Sequence, residues 1–327
     1  MSKTAIITGI LGQDGSFLAD LLLASGVEVH GVYRRISTGN NLDNLADAYG
    51  HSNLNLIEMD IADHVAMSSL INRLQPDYLF NLAAQSHVGY SFDIPIETFK
   101  VNAEAVMAQL HAIKMFSPTT RYYQASTSEM MGTSKMPEAG YNELSRFHPR
   151  SPYGVAKLAA YHAVVNYREA YDIFACNGIL FNHSSKRRGR DFATRKITLG
   201  VAAIVSGHAT KLKMGNLEAR RDEGHAKDYV LAMYKMLQAD KPWDYVVSTG
   251  VSVSIREMLE YVCSLAGLNI DDVYEKDERY MRPSDIPDLK GDSRLIRGAL
   301  DWEPKYDWKM LLKEMYENDL KNAMDGE

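Results

Sequence analysis

The stretch "TGILGQDGSFLAD" (residues 8–20) decides the fold. It sets Gly9, Gly12 and Gly15 three residues apart, between the apolar run "KTAIITG" (3–9) and an amphipathic stretch ending near Gly26. Gly9 permits a tight turn, Gly12 lets the backbone approach a pyrophosphate, and Gly15 lets the next helix pack closely. Free amides at that helix start, and its dipole, favour phosphate oxygens. The strand–turn–helix context predicts a dinucleotide site formed by Gly9, Gly12, Gln13, Asp14 and Gly15.

Further along, short apolar runs alternate with helical patterns: "VEVHGVY" (27–33), "LNLIEMD" (54–60), "DYLFNLAA" (77–84), "RYYQAS" (121–126) and "IFACNGILF" (173–181). Strands with little polar alternation are buried on both faces, as in a parallel sheet covered by helices. The expected fold is α/β, a doubly wound parallel sheet of Rossmann type, with a smaller C-terminal substrate-binding lobe. The cofactor domain is expected over 1–181 plus a returning segment at about 225–250, around the strand "YVVSTG" (245–250). The substrate lobe takes 182–224 and 251–327 and closes with an amphipathic helix around 308–320.

The 327 residues are 46% hydrophobic and 24% charged, with a net charge of −6 and both signs interspersed, which argues against a nucleic-acid partner. No run approaches a membrane span, and the N-terminus shows no signal pattern. Cys176 and Cys263 are expected as buried free thiols, and the protein as cytoplasmic. His87, His183 and His225 lack metal-ligand spacing, and no metal is expected. Where an NAD enzyme carries an acid after its second strand, this chain has Arg34 and Arg35. Two guanidiniums would pair with a 2′-phosphate, so NADP is the expected cofactor.

"SPYGVAKLAAYH" (151–162) puts Tyr153 and Lys157 one helical turn apart, and a lysine cation beside a phenol favours the phenolate. Thr127, ending the fifth strand in "QASTSEMMG" (124–132), would hydrogen-bond the same substrate oxygen. Glu129 is surplus to a simple dehydrogenase; it suits a second proton transfer. The null alternatives are a helix-surface pair and a solvated loop acid. Met130 and Met131 are expected in the core.

The glycine spacing resembles the extended short-chain dehydrogenase/reductase superfamily. With "NLAAQSHVGYSF", "ASTSE", "RSPYGVAKLAAY", "ACNGILFNH", "TRKIT", "RDEGHAKDYV" and "RPSD" in order, nearly the whole chain resembles the GDP-mannose 4,6-dehydratase family. The resemblance implies catalysis by Thr127, Glu129, Tyr153 and Lys157. It also implies adenine contacts at Asp60 and Ile61, and close cofactor approach at Leu82, Ala83 and Ala84. Arg187 and Arg188 fall in a loop that in this family bridges subunits near the cofactor phosphate. Ser86, Glu129, Asn182, Lys196, Arg221 and Arg282 are implied for the substrate, GDP-mannose, with Arg221 and Arg282 clamping its diphosphate. A homo-oligomer, dimer or tetramer, is implied through helices around 96–116 and 151–171. The family pattern departs at Ser184 and Lys186 (usually Glu and Pro), Glu223 (usually Trp) and Asp285 (usually Glu). Alternatives are a dehydratase of another GDP-sugar such as a GDP-heptose, a nucleotide-sugar 4-epimerase, or a non-catalytic NADP sensor. An epimerase removes no C5 proton and has no use for Glu129.

Overall fold

The apolar runs of the first half become adjacent parallel strands, because burial on both faces rewards continuous apolar sequence. A computed structural model of the chain describes residues 2–35, 42–280 and 286–325. The first half contains β1 (Thr4–Thr8), α1 (Gln13–Ala24), β2 (Glu28–Tyr33), β3 (Leu54–Glu58), α2 (His64–Leu74) and β4 (Tyr78–Asn81). It continues with α3 (Pro95–Phe99), α4 (Ala105–Phe116), β5 (Arg121–Thr127), α5 (Pro152–Tyr171) and β6 (Ala175–Leu180). The second half adds β7 (Asn182–Ser184), α6 (Ala193–Val205), β8 (Leu212–Met214), β9 (Arg220–His225), α7 (Ala226–Gln238), β10 (Tyr245–Val247) and β11 (Ser252–Ser254). It closes with α8 (Ile255–Leu265), α9 (Ile270–Val273), β12 (Tyr274–Lys276), β13 (Asp288–Leu289), α10 (Arg294–Leu300) and α11 (Trp308–Asp325).

Among the described residues a seven-stranded sheet runs β10-β6-β5-β4-β1-β2-β3, and every neighbouring pair is parallel. Helices cover both faces, as the doubly wound reading requires. Leu18 and Leu22 of α1 pack with Met233 and Met236 of α7 on one side. Ile71 of α2, Leu110 of α4 and Val164 of α5 fill the other. The chain returns to this sheet after leaving it: β10 pairs with β6, and Ile296 and Trp302 lie in the α1–α7 core. Cys176 and Cys263 are buried free thiols, and Met130 and Met131 are fully buried. No described helix is long and apolar enough to cross a membrane.

The smaller lobe has a core of its own, built from α6, α8 and α11. Its sheet, β11-β9-β13 with β7 also on β9, centres on a strand that reads "RRDEGH". Asp222 stabilises that strand from inside. It accepts from Thr249 N (2.8 Å), Thr249 Oγ1 (2.6 Å), Gly250 N (2.8 Å) and Gly291 N (3.2 Å). Burial pushes its carboxyl up to about 6, against the pull of those donors. The donors come from the segment after β10 and from β13's neighbour, so one carboxylate ties three chain segments together.

Gly15 is the tightest point of the fold near the first turn. A Cβ there would lie 2.4 Å from Gly9 O and 2.6 Å from Ile10 Cα, both backbone atoms. Gly15→Ala must therefore push α1 off β1. It is expected to cost about 1–3 kcal/mol, read as a fall of several degrees in Tm with the far-UV spectrum unchanged. An unchanged Tm would show that the helix does not sit this close.

Candidate active site

The site forms where the parallel strands end. Gly9 leaves β1 at φ +72°, and a Cβ there would meet Ala83 Cα at 2.9 Å, so the turn abuts the end of β4. Thr8 Oγ1 accepts from Leu82 N and Ala83 N (3.1 Å each) and donates to Asn81 Oδ1 (2.7 Å). These bonds fix β4's end against β1. On the open side, a Cβ on Gly12 would meet only Gly9 O, at 3.2 Å. Gly12 caps α1 with no side-chain hydrogen bond, which leaves the first-turn amides to an outside acceptor. The turn therefore fits a pyrophosphate.

Gln13 and Asp14 take a different role from the one their position in the loop predicts. Gln13 Nε2 donates to His183 O (3.2 Å), and its Oε1 accepts from Ser185 Oγ (2.8 Å). Asp14 Oδ2 lies 2.9 Å from His183 Nε2, while His183 Nδ1 lies 2.8 Å from Phe181 O. Burial works against the Asp14 charge, but His183 beside it holds the carboxyl below its ordinary value. Both side chains therefore join the glycine turn to β7, and any phosphate contact falls to their backbone amides. At the far end of the groove Arg34 and Arg35 are exposed, with Arg34 Nη1 3.8 Å from Asp60 Oδ2. Asp60 Oδ1 also accepts from Ala62 N (2.9 Å), and Ile61 is buried beneath it.

Thr127, Glu129, Tyr153 and Lys157 come together at the end of β5, all nearly buried. Thr127 Oγ1 accepts from Glu129 N (3.2 Å) and starts a single 3-10 turn that carries Glu129. Ser151 caps α5 by accepting from Gly154 N, which places Tyr153 in its first turn over Thr127. Burial pushes Tyr153 up to about 12; the hydrogen bond with Thr127 lowers it, the Glu129 charge raises it, and Arg188 lowers it. Lys157, expected from its spacing to favour the phenolate, donates from Nζ to Ala125 O (2.9 Å) and sits 5.8 Å from the Tyr153 ring centroid. Burial pushes Lys157 down to about 8. Spacing along a helix shows that two residues share a face; it does not show where a flexible ammonium ends.

A cavity of about 500 Å³ opens between the segment 87–93 and the second half of the chain, and Thr127, Glu129, Tyr153 and Lys157 are not in its lining. Asn182, Arg188, Lys196 and Arg221 line it. Lys196 Nζ lies 3.2 Å from the Tyr280 ring centroid, and the Arg188 guanidinium stacks on Phe192 at 3.7 Å. Arg221 donates to Arg220 O and Ile286 O (2.8 Å each). Ser86 is exposed and outside this lining, while its neighbour Gln85 is held by Asn102, whose side chain both accepts from Gln85 N and donates to Gln85 O (2.9 Å each). Arg187 is used within its own chain, on Asp20 (2.7 Å) and Asp47 (2.9 Å). Arg282 and Asp285 lie outside the described residues. Ser184 and Glu223, two positions that depart from the family pattern, touch: Ser184 Oγ donates to Glu223 Oε1 at 2.5 Å. The sequence marks each as unusual, but pairing of β7 with β9 is what joins them.

A family model described as GDP-mannose 4,6 dehydratase matches residues 6–315. The chain is 46% identical to GDP-mannose 4,6 dehydratase 2 of Arabidopsis thaliana, over 98% of this chain and 88% of that protein. It is 42% identical to GDP-mannose 4,6-dehydratase of Vibrio cholerae (99% and 95%) and 42% identical to the Homo sapiens enzyme (98% and 92%). Among solved structures, dTDP-glucose 4,6-dehydratase from Bacillus anthracis in complex with NAD aligns at TM-score 0.84 and 20% identity, over 98% and 97% of the two chains. UDP-glucose 4-epimerase from Thermotoga maritima with UDP-glucose aligns at TM-score 0.85 and 23% identity, over 98% and 99%. At those identities the structures speak to the fold alone.

Lys157 makes a stability test available. Its folded pKa lies below the unfolded value of 10.5, so between about 8 and 10.5 the unfolded chain binds more protons, and stability rises with pH in that window. Below it the buried charge costs on the order of 3 kcal/mol. Ala125 O keeps a second donor, Gln124 Nε2 at 3.1 Å, when the lysine is removed. Lys157→Met is therefore expected to be more stable than the parent at pH 7 in urea unfolding, with the gap closing towards pH 10. A gap that does not vary with pH would contradict a buried lysine charge.

Proposed function

The chain belongs to the GDP-mannose 4,6-dehydratase family, and from that premise we propose how its residues divide the work. The activity is that of a hydro-lyase: GDP-mannose becomes GDP-4-keto-6-deoxymannose and water, with a hydride moved internally from C4 to C6. A bound nicotinamide dinucleotide supplies the hydride acceptor at C4 and the hydride donor at C6, so no net redox change results. The observation that carries the reading is the burial of Thr127, Glu129 and Tyr153 together at the end of β5, across β4 from the glycine turn. Ligands of open α/β sheets bind at this carboxyl edge.

Tyr153, as the phenolate, takes the proton of the sugar 4-hydroxyl and becomes neutral; a neighbouring cation favours the phenolate beforehand. Thr127 holds the same oxygen in line. The 4-ketone acidifies the C5 proton, which Glu129 removes and passes to the departing C6 hydroxyl as water; once C6 has been reduced, Tyr153 or solvent returns a proton to C5. Lys157 would hold the nicotinamide ribose. Lys196, Arg221 and Arg282 would meet the diphosphate, and Asn182 the sugar or phosphate, with Ser86 at the rim. The exposed Arg34 and Arg35 support NADP over NAD: two guanidiniums match a 2′-phosphate, and Asp60 stands 3.8 Å from one of them. In this reading residues 1–181 with about 225–250 hold the cofactor, and 182–224 with 251–327 hold the nucleotide sugar.

Exposed Ile96, Phe99, Met107 and Val155 on α3, α4 and α5 offer an apolar face that a second copy of the chain would cover, giving a dimer or a tetramer built from dimers. Two buried free thiols suit a reducing cytoplasm.

Glu129→Gln keeps shape and removes the base. It is expected to lower 4-keto product formation from GDP-mannose by about 10²–10⁴ while leaving GDP-mannose binding within a few-fold; a normal rate would remove Glu129 from the mechanism. Arg34→Ala with Arg35→Ala is expected to weaken NADP binding about tenfold or more with NAD affinity unchanged. Equal loss for both cofactors would contradict the 2′-phosphate assignment.

A further inference from the structure

One carboxylate in the cavity takes no part in these proton transfers. Glu223 lies on β9, is 3% exposed, and lines the cavity beside Asn182, its register partner on β7. Ser184 Oγ donates to Glu223 Oε1 at 2.5 Å, and Thr194 Oγ1 lies 2.7 Å from Ser184 Oγ. Ser184 has one proton and gives it to the carboxylate, so Thr194 donates to Ser184. The hydroxyl chain runs one way and ends on an acceptor. Among the described residues Ser184 is the one hydrogen-bond partner of that carboxylate. A carboxylate has about four lone-pair sites, and Oε2, which is not among the enclosed unpaired atoms, faces the cavity, where a donor can reach it. Burial raises the Glu223 carboxyl pKa, with Ser184 and Arg188 pulling it back.

Position along the strand says which part of a ligand the carboxylate meets. Arg221 is two residues away on β9, both side chains line the cavity, and two strand residues span about 6.7 Å. A cation and an anion one step apart suit a diphosphate and the sugar ring attached to it. Arg188 lines the same cavity. Aspartates also line the cavity, Asp93 and Asp191, but both are exposed at its mouth.

We propose that Glu223 is a specificity-determining residue, which accepts a hydrogen bond from a hexose hydroxyl of the nucleotide sugar on the carboxylate oxygen that Ser184 leaves open. This rests on the reading that the cavity receives the sugar nucleotide. Ser184 and Thr194 act through Glu223 as positioning residues. A site built to bond a hydroxyl discriminates against ligands that lack it, because its polar group is then left unpaired.

Calorimetric titration of the full chain with GDP-mannose and with GDP tests the proposal. Wild type is expected to bind GDP-mannose more tightly than GDP. Glu223→Gln is expected to weaken GDP-mannose about 10- to 100-fold and GDP less than threefold, with KM rising more than kcat falls. Ser184→Ala is expected to move the same way by a smaller factor, and it carries the test if Glu223→Gln does not fold, as judged by Tm and GDP binding. Unchanged GDP-mannose affinity in the folded variant, or equal loss for GDP and GDP-mannose, would overturn the role of Glu223 and leave the reaction assignment standing. A wild type that binds GDP but gains nothing from the mannose would bring down the cavity assignment and this role together.

Discussion

The chemistry depends on charges held where water is scarce. Burial alone moves Tyr153 up and Lys157 down, so both resist the charged form that proton transfer requires. Arg188 and Thr127 work against that resistance at the phenol, and Ala125 O accepts from the ammonium. A phenol with a high pKa is a strong base once ionised, and a nearby cation favours that ionised form. The same logic governs the second lobe. Asp222 is surrounded by backbone and hydroxyl donors, and Glu223 by a hydroxyl relay and a guanidinium.

These buried charges exist because two lobes share one edge. The glycine turn meets β4 through Thr8 and meets β7 through Gln13 and Asp14. β7 in turn pairs with β9, which carries the cavity residues. The glycine turn and the cavity wall are thus linked by hydrogen bonds between residues up to 172 positions apart in the chain. A shift of β7 would disturb both together.

Much of the first lobe was legible in the sequence. Its strands are apolar on both faces, so "TAIIT" or "ACNGIL" can be read without knowing the neighbours. Gly9 and Gly15 are legible too, since backbone contact leaves no room for a side chain. Thr127, Glu129, Tyr153 and Lys157 could be nominated because a strand end and one helical turn are local facts. β9 was not legible. "RRDEGH" shows no apolar pattern, and its stability comes from partners that follow it by tens of residues. The Ser184–Glu223 contact was hidden for the same reason, and so was the diversion of Gln13 and Asp14 to β7.

The central claim is that one buried group of residues moves a hydride from C4 to C6 and exchanges a proton at C5. Isotope tracing reads both events in one product. GDP-mannose carrying deuterium at C4, turned over in ordinary water, should give a 4-keto-6-deoxy sugar with that deuterium at C6; the unlabelled substrate in D2O should gain a single deuterium at C5. Deuterium that stays at C4, or is lost to solvent, would contradict the account.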